Sequence, residues 1–181
     1  MKFIPTPLPG AFTIELERRH DARGFFARAF CVEEFARHGL RHAIVQINDS
    51  LSRERGTLRG MHYQLPPCAE DKIVRCIRGA LFDALIDVRP DSPTFGQTFT
   101  VELTAENRAM MVVPKGCAHG FLTLVEDTEA FYLTTQAYAP QSERGIRWND
   151  PRFRIAWPFE PRVISDKDRG FPDFDPAIHL A

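Results

Sequence analysis

The sequence has almost no net charge and no long apolar run. Its 23 basic and 24 acidic side chains give a formal net charge of −1 over 181 residues. The chain therefore lacks the basic surface that nucleic-acid binding requires. No stretch approaches the roughly 20 apolar residues of a membrane-spanning helix. We expect neither nucleic acid nor a membrane as a partner.

Motifs of several common protein classes are also missing. The sequence contains no GxSxG elbow and no GxGxxG or Walker phosphate loop, which disfavours hydrolases, nicotinamide enzymes and nucleotide-hydrolysing folds. The cysteines show no CxxC spacing, so they predict reduced thiols rather than a zinc knuckle. These cysteines are Cys31, Cys68, Cys76 and Cys117. The proline-containing N-terminus does not resemble a signal peptide, and we expect a cytoplasmic protein.

Most of the chain is typical of short β-strands separated by turns. Branched and aromatic side chains favour strands over 11–16, 44–47, 72–77, 81–88, 99–103, 109–113, 121–125 and 130–134. We predict hairpin turns at 79–80 and 126–127 and one short helix over 33–38. Many short strands with little helix indicate a sandwich or barrel. The aromatic, proline-containing tail over 148–181 is predicted to pack across it.

The densest cluster of polar side chains is GTLRGMHYQ, residues 56–64. Alternation along a strand would place His62 and Gln64 on one face and Tyr63 on the other, with Arg59 on the face opposite His62. Gly60 would let the backbone bend or admit a ligand closely. His62 is either a general base, because histidine titrates near neutral pH, or a half-buried structural histidine.

A second histidine, His119, lies in VPKGCAHGF, residues 113–121. Metal-binding cupins usually present an HxH pair, a carboxylate and a later histidine, but Gln64 stands where the second histidine of such a pair would be. Two possible ligands are fewer than the three that a catalytic zinc or iron site needs. We therefore predict no metal.

Two further clusters contain possible acids and carboxylates. Tyr132 and Tyr138 are either core residues or, if the environment lowers the phenol pKa, general acids. In SDKDRGFPDF, residues 165–174, both Asp166 and Asp168 are candidates for orienting a histidine.

Together these clusters resemble the dTDP-4-dehydrorhamnose 3,5-epimerases. The matching segments include DARGFF (21–26), LRGMHYQ (58–64), DKIVRCIRG (71–79), VPKGCAHGF (113–121), WNDP (148–151) and ISDKD (164–168). The resemblance implies a mainly β, cupin-type (jelly-roll) antiparallel barrel with a few short helices, in a single domain over 1–181. It also implies a homodimer in which about 30 N-terminal residues cross to the partner.

The resemblance also implies roles for individual residues. His62 matches the general base, Asp168 its paired carboxylate, Tyr132 the acid on the opposite sugar face, and Lys72 the lysine beside the keto oxygen. Further positions match or neighbour the substrate-binding residues of the family, and they are Arg23, Phe26, Arg28, Gln46, Asn48, Arg59, His119, Tyr138 and Lys167. Arg23 and Phe26 correspond to the part contributed across the dimer.

The implied substrate is a 4-keto-6-deoxy sugar on a nucleoside diphosphate. Its C3 and C5 hydrogens flank the carbonyl, so a base can remove either to give an enolate, and an acid on the other face inverts the centre. No electrons leave the sugar, so no cofactor is expected.

Departures from the family pattern leave several hypotheses open. Arg28 replaces a glutamate near the base pocket. Because arginine only donates hydrogen bonds, either the base is cytosine, as in a CDP sugar, or Arg28 points outward to a phosphate or carboxylate. Epimerisation at C3 alone also stays open. So do a metal-dependent cupin and a non-catalytic sugar-nucleotide-binding barrel.

Overall fold

Two antiparallel sheets pack face to face in the computed structural model, which describes residues 1–41 and 43–181. The strands are β1 (Lys2–Pro5), β2 (Phe12–Glu15), β3 (Arg19–Asp21), β4 (Gly24–Phe26), β5 (Gln46–Ser52), β6 (Thr57–Gln64), β7 (Lys72–Arg78), β8 (Ala80–Asp87), β9 (Thr98–Thr104), β10 (Met110–Val113), β11 (Cys117–Thr123), β12 (Thr128–Thr134), β13 (Glu143–Gly145) and β14 (Val163–Ile164). The helices are α1 (Val32–Arg37), α2 (Asp166–Arg169) and α3 (Pro176–His179), with a 3-10 turn at Pro140–Ser142.

The first sheet has the strand order β1-β2-β10-β7-β12-β5, and the second has the order β13-β6-β11-β8-β9, with β14 added to β6. Strands β3 and β4 form a separate hairpin. All pairings are antiparallel except that of β14 with β6. This arrangement is the mainly β, jelly-roll architecture that the sequence predicts.

The core lies between the two sheets. Val74 and Cys76 of the first sheet meet Leu81, Leu85 and other apolar side chains of the second, and all four are almost fully buried. Alternating residues of each strand contribute to this core, as expected for strands with one buried face. The same inner face of the central strands also lines the space described below, because Val74 and Phe121 belong both to this core and to the cavity wall.

The hairpin turns predicted at 79–80 and 126–127 are wrong. Strand β7 pairs with β10 and β12, whereas β8 pairs with β11 and β9, so the chain crosses between sheets at Gly79. It crosses again between β11 and β12, where Asp127 has φ +47°. Gly79 has φ +74°, and a Cβ there would lie 2.6 Å from Thr128 Oγ1. Glycine is required at this crossing because it tolerates both the positive φ and the close approach.

The C-terminal segment lies against the second sheet. Val163 and Ile164 pair with Thr57 and Leu58, and Phe174 is 9% exposed in a cluster with Met61 and Tyr63. This path brings α2 to the middle of β6, where Asp168 contacts Gly60 and His62. The predicted helix over 33–38 is confirmed as α1, over Val32–Arg37. Within the described ranges, no helix is long and apolar enough to cross a membrane.

Candidate active site

Two adjoining cavities of about 500 and 380 Å³ open between the sheets. His62, Lys72 and Tyr132 line both cavities. Arg59 and His119 line the larger one, and Gln46 and Asn48 the smaller one together with Tyr138. His62 is on β6 of the second sheet, whereas Tyr132 is on β12 of the first. A ligand between the sheets therefore has an imidazole on one side and a phenol on the other.

A bulge in β6 brings Arg59 and His62 to the same cavity. His119 is the register partner of His62, but Phe121 is the partner of Arg59, so β6 has one more residue than β11 over this stretch. Such a bulge changes the face to which side chains point. The expectation from strict alternation, that Arg59 faces away from His62, is therefore wrong.

The bulge depends on glycine at two contacting positions. Gly60 has φ +136°, and a Cβ there would lie 2.5 Å from Gly120 Cα. The close approach at Gly60 is thus to the neighbouring backbone.

His62 forms a hydrogen-bonded pair with Asp168. Their Nε2 and Oδ1 atoms are 2.8 Å apart, and the Asp168 side chain is 6% exposed. Asp168 Oδ2 accepts a second hydrogen bond from the Gly60 N–H, and Ser165 caps the helix that holds it. Burial opposes ionisation of Asp168, but the hydrogen bonds from His62 and Gly60 keep its pKa below the usual value. Of the two aspartates left open by the sequence, Asp168 is the one that contacts His62.

A second histidine–carboxylate pair lies beside the first. His119 Nε2 and Asp83 Oδ1 are 2.7 Å apart, and Asp83 is fully buried. Within the described ranges, Asp83 Oδ2 has no hydrogen-bond partner. The pair fixes the ring of His119 at the wall of the larger cavity.

The phenol of Tyr132 carries a raised pKa. Burial is the main cause, partly offset by the positive charge of Arg59, and Glu70 adds to the increase. The lowered phenol pKa considered for a general acid is therefore not found. A raised pKa keeps the phenol protonated over a wide pH range, and a protonated phenol can still donate to a strongly basic enolate carbon.

Lys72 is held at the junction of the two cavities. Its Nζ lies 3.1 Å from Glu70 Oε1 and 3.4 Å from the carbonyl oxygen of His62. The Glu70 carboxylate in turn accepts a hydrogen bond from Gln64. The ammonium group is thus held in the wall of the cavities that His62 and Tyr132 also line, where it can stabilise negative charge.

A polar network joins the walls of the two cavities, because Lys167 lines the larger one and Tyr138 and Glu143 line the smaller one. Lys167 forms an ion pair with Glu143, and the Tyr138 hydroxyl donates to the same carboxylate at 2.9 Å. Burial opposes ionisation of Glu143, but these two donors keep its pKa below the usual value. Gln46 donates to Asn48 at 2.7 Å on the cavity-facing side of β5.

Three predicted site residues lie outside both cavities. The Arg23 side chain is 90% exposed and pairs with Asp21, and Phe26 is 68% exposed on the β3–β4 hairpin. Arg28 lies 3.0 Å from Glu34, so it pairs with an acidic side chain in this chain, in agreement with the outward orientation considered above.

The histidines of the cavity are arranged for pairing with carboxylates. In the part of the chain that the structure describes, no group of three or more His, Cys, Asp and Glu residues is placed to hold a metal ion. His62 and His119 each direct one ring nitrogen to a buried aspartate.

Sequence reasoning missed three charged residues of the site. Glu70 and Glu143 line the smaller cavity, and Asp83 supports His119. Asp83 had a detectable signal, because it is the one charged residue within the apolar run ALFDALI (80–86). Glu70 and Glu143 lie in polar segments that are typical of solvated loops, so the sequence gives no signal that marks them as site residues.

Comparisons with known proteins identify the family of the chain. The profile of the dTDP-4-dehydrorhamnose 3,5-epimerase family matches residues 5–176. A dTDP-4-dehydrorhamnose 3,5-epimerase from Sinorhizobium fredii is 46% identical over 153 residues, which are 84% of this chain and 78% of the relative.

Two solved structures share the fold closely. The dTDP-4-dehydrorhamnose 3,5-epimerase of Bacillus anthracis, with TDP and PPi bound, superposes with a TM-score of 0.92 at 39% identity, covering 96% of this chain and 99% of that one. The dTDP-6-deoxy-D-glucose-3,5-epimerase of Legionella pneumophila, in complex with dTDP-4-keto-L-rhamnose, gives 0.90 at 36% identity, covering 98% and 96%. With the profile matching almost the whole length, this chain belongs to the dTDP-4-dehydrorhamnose 3,5-epimerase family.

Proposed function

We propose that this protein converts dTDP-4-dehydro-6-deoxy-D-glucose to dTDP-4-dehydro-L-rhamnose by removing and returning protons at C3 and C5. The observation that carries the proposal is the placement of His62 and Tyr132 on opposite sheets, with both lining the same cavities. Inversion of a carbon beside a carbonyl needs a base on one face and an acid on the other, because a single group returns the proton to its original side.

In this mechanism His62 removes the proton. Asp168 accepts from Nε2, so the neutral ring presents Nδ1 as the base, and the carboxylate stabilises the imidazolium that forms. The resulting enolate has its charge on the C4 oxygen, where Lys72 donates a charge-assisted hydrogen bond. One such donor typically lowers the barrier by about 2.7–4 kcal/mol. Tyr132 then protonates the carbon from the opposite face.

The chemistry of proton exchange needs no redox or group-transfer cofactor, because every electron stays on the sugar. The diphosphate needs cations, which Arg59 and Lys167 supply from the wall of the larger cavity. The cysteines are free thiols, which suits a reducing compartment, and we place the protein in the cytoplasm.

We also infer that two copies pair so that each completes the other's site. Ile47 and Leu51 are 56% and 39% exposed on the edge strand β5, and Val45, just before this strand, is 56% exposed. An exposed apolar edge strand favours pairing with another chain. Arg23 and Phe26 are remote from the cavities of their own chain, and crossing to the partner's site would give them a role in nucleotide binding.

A subunit-mixing experiment tests this pairing. Arg23→Ala and His62→Asn chains are each expected to be inactive, whereas a refolded 1:1 mixture should regain about a quarter of the wild-type activity, since half of the chains form mixed dimers with one intact site. A mixture with no activity, or a monomer in sedimentation analysis, would contradict the shared site.

The decisive test of the reaction uses NMR in deuterated water. The protein is incubated with dTDP-4-keto-6-deoxyglucose, and deuterium at C3 and C5 is followed together with the L-rhamno product. Label at both carbons is expected. Label at C3 alone would identify a 3-epimerase, and binding without label would identify a sugar-nucleotide-binding barrel.

The nucleotide base is tested separately by calorimetry. Because Arg28 pairs with Glu34 in the same chain, it is directed away from the cavities, and we expect dTDP to bind more tightly than CDP. A preference for CDP would favour the cytosine hypothesis.

A further inference from the structure

The ammonium group of Lys72 has a buried carboxylate as its partner. Glu70 Oε1 lies 3.1 Å from Lys72 Nζ, and the two side chains are 6% and 14% exposed. The ion pair is not a surface contact, in which two flexible chains meet in water at little net gain. Removing one partner of a buried pair leaves the other charge without compensation.

Glu70 is itself held in place by Gln64. The Gln64 Nε2 donates to Glu70 Oε2 at 2.7 Å and to the Cys68 carbonyl at 2.8 Å. The Gln64 Oε1 accepts from the Ala139 N–H at 2.5 Å. Since its amide is fixed by backbone groups at both ends, Gln64 sets the orientation of the Glu70 carboxylate.

The ammonium group has three N–H donors. One is used by Glu70 and a second is directed to the carbonyl oxygen of His62 at 3.4 Å. Among the described residues the third has no hydrogen-bond partner, and Lys72 lines the cavity together with Tyr132. The flexible four-carbon stem of lysine would otherwise allow several orientations.

We propose that Glu70 is a positioning residue, which directs the Lys72 ammonium to the place where negative charge develops on the keto oxygen. This inference rests on the proposed epimerase reaction. Glu70 does not contact the substrate carbon and moves no proton. It acts through Lys72, and Gln64 acts through Glu70.

Glu70→Gln is the informative variant because it keeps the size of the side chain. The new carbonyl must accept from Gln64 Nε2, so the new amide NH₂ faces the Lys72 ammonium. Both groups only donate hydrogen bonds, so the contact that holds Lys72 is lost. We expect the rate of deuterium exchange at saturating substrate to fall roughly 10- to 100-fold, less than the roughly 10²–10³-fold loss from removing such a donor. KM should change less than about twofold, because the positioned charge acts in the transition state.

Two controls separate positioning from a structural role. Glu102→Gln neutralises an exposed carboxylate on β9 and should leave exchange unchanged. In a Lys72→Met background, Glu70→Gln should have almost no further effect, because a residue that acts through Lys72 has nothing left to act on.

Two outcomes would overturn the proposal. One is an unchanged exchange rate in Glu70→Gln, and the other is an equal fold-loss with and without Lys72. A failure of the epimerase reaction itself would be distinguished by the wild-type protein, which would then give no exchange in the same assay.

Discussion

Replacing Asp168 by asparagine should inactivate the protein without disturbing its shape. Asp168 Oδ2 accepts from the Gly60 N–H at 3.1 Å, while Oδ1 contacts His62 Nε2. In Asp168→Asn the amide oxygen must accept from Gly60, so the amide NH₂ faces His62. The ring then has to accept at Nε2, which places its proton on Nδ1, the nitrogen proposed as the base.

The expected loss follows from this change of tautomer. In a serine protease, the Asp→Asn change that leaves the catalytic histidine in the wrong tautomer lowers kcat by about 10⁴. Here we expect the exchange rate to fall by about 10³–10⁴, or roughly 4–5.5 kcal/mol at 1.36 kcal/mol per tenfold change. The assay is exchange at C3 and C5 by NMR, with dTDP affinity from calorimetry as the control for folding. Unchanged affinity is expected. An Asp168→Asn protein within tenfold of the wild-type rate would refute the tautomer argument.

Three further changes give separate tests. Tyr132→Phe should lower net epimerisation by about 10²–10⁴-fold. Deuterium should still enter at the carbon that His62 deprotonates, with its configuration retained. A wild-type rate of product formation would contradict the role of Tyr132 as the acid. Gly145→Ala would place a Cβ 2.2 Å from Phe171 Cζ, and Phe171 packs against His62. We therefore expect a lower Tm and slower exchange, with the Tm regained on adding Phe171→Ala. A Tm equal to wild type in the single variant would contradict the contact. Burial opposes ionisation of Asp87, but hydrogen bonds from Arg89 and two hydroxyl groups lower its pKa to about 2. Since the folded pKa lies below the unfolded value of 3.8, the ionised carboxylate stabilises the fold fully above pH ~4, and this stabilisation is lost toward pH ~2. In urea unfolding, Asp87→Asn should therefore lower the free energy of unfolding by about 2 kcal/mol at pH 7 and by little at pH 2. A difference independent of pH would contradict the assignment.

The strands were predictable because alternation and branched side chains report directly on a half-buried sheet. The predictions over 72–77 and 99–103 correspond to β7 and β9. The partners of those strands were not predictable from adjacent segments. In a jelly roll the chain crosses between sheets at Gly79, and a glycine with positive φ is equally compatible with a hairpin turn.

The site was predictable in its types of residue and less so in its geometry. The histidines and the tyrosine stand in recognisable clusters, but the joint placement of Arg59 and His62 depends on a bulge whose register involves β11, a strand more than 50 positions away. The charged partners are equally remote from any local pattern. Glu143 meets Lys167 across 24 positions, so only the folded chain reveals that pair.

The imidazole of His62 is the group on which the proposed mechanism depends most directly. The measurement is deuterium entry at C3 and C5 of dTDP-4-keto-6-deoxyglucose catalysed by His62→Asn, together with the affinity of that variant for dTDP. We predict no exchange above background at either carbon and an affinity close to that of the wild type. Exchange at the wild-type rate would show that another group removes the protons, and the assignment of the base would be wrong.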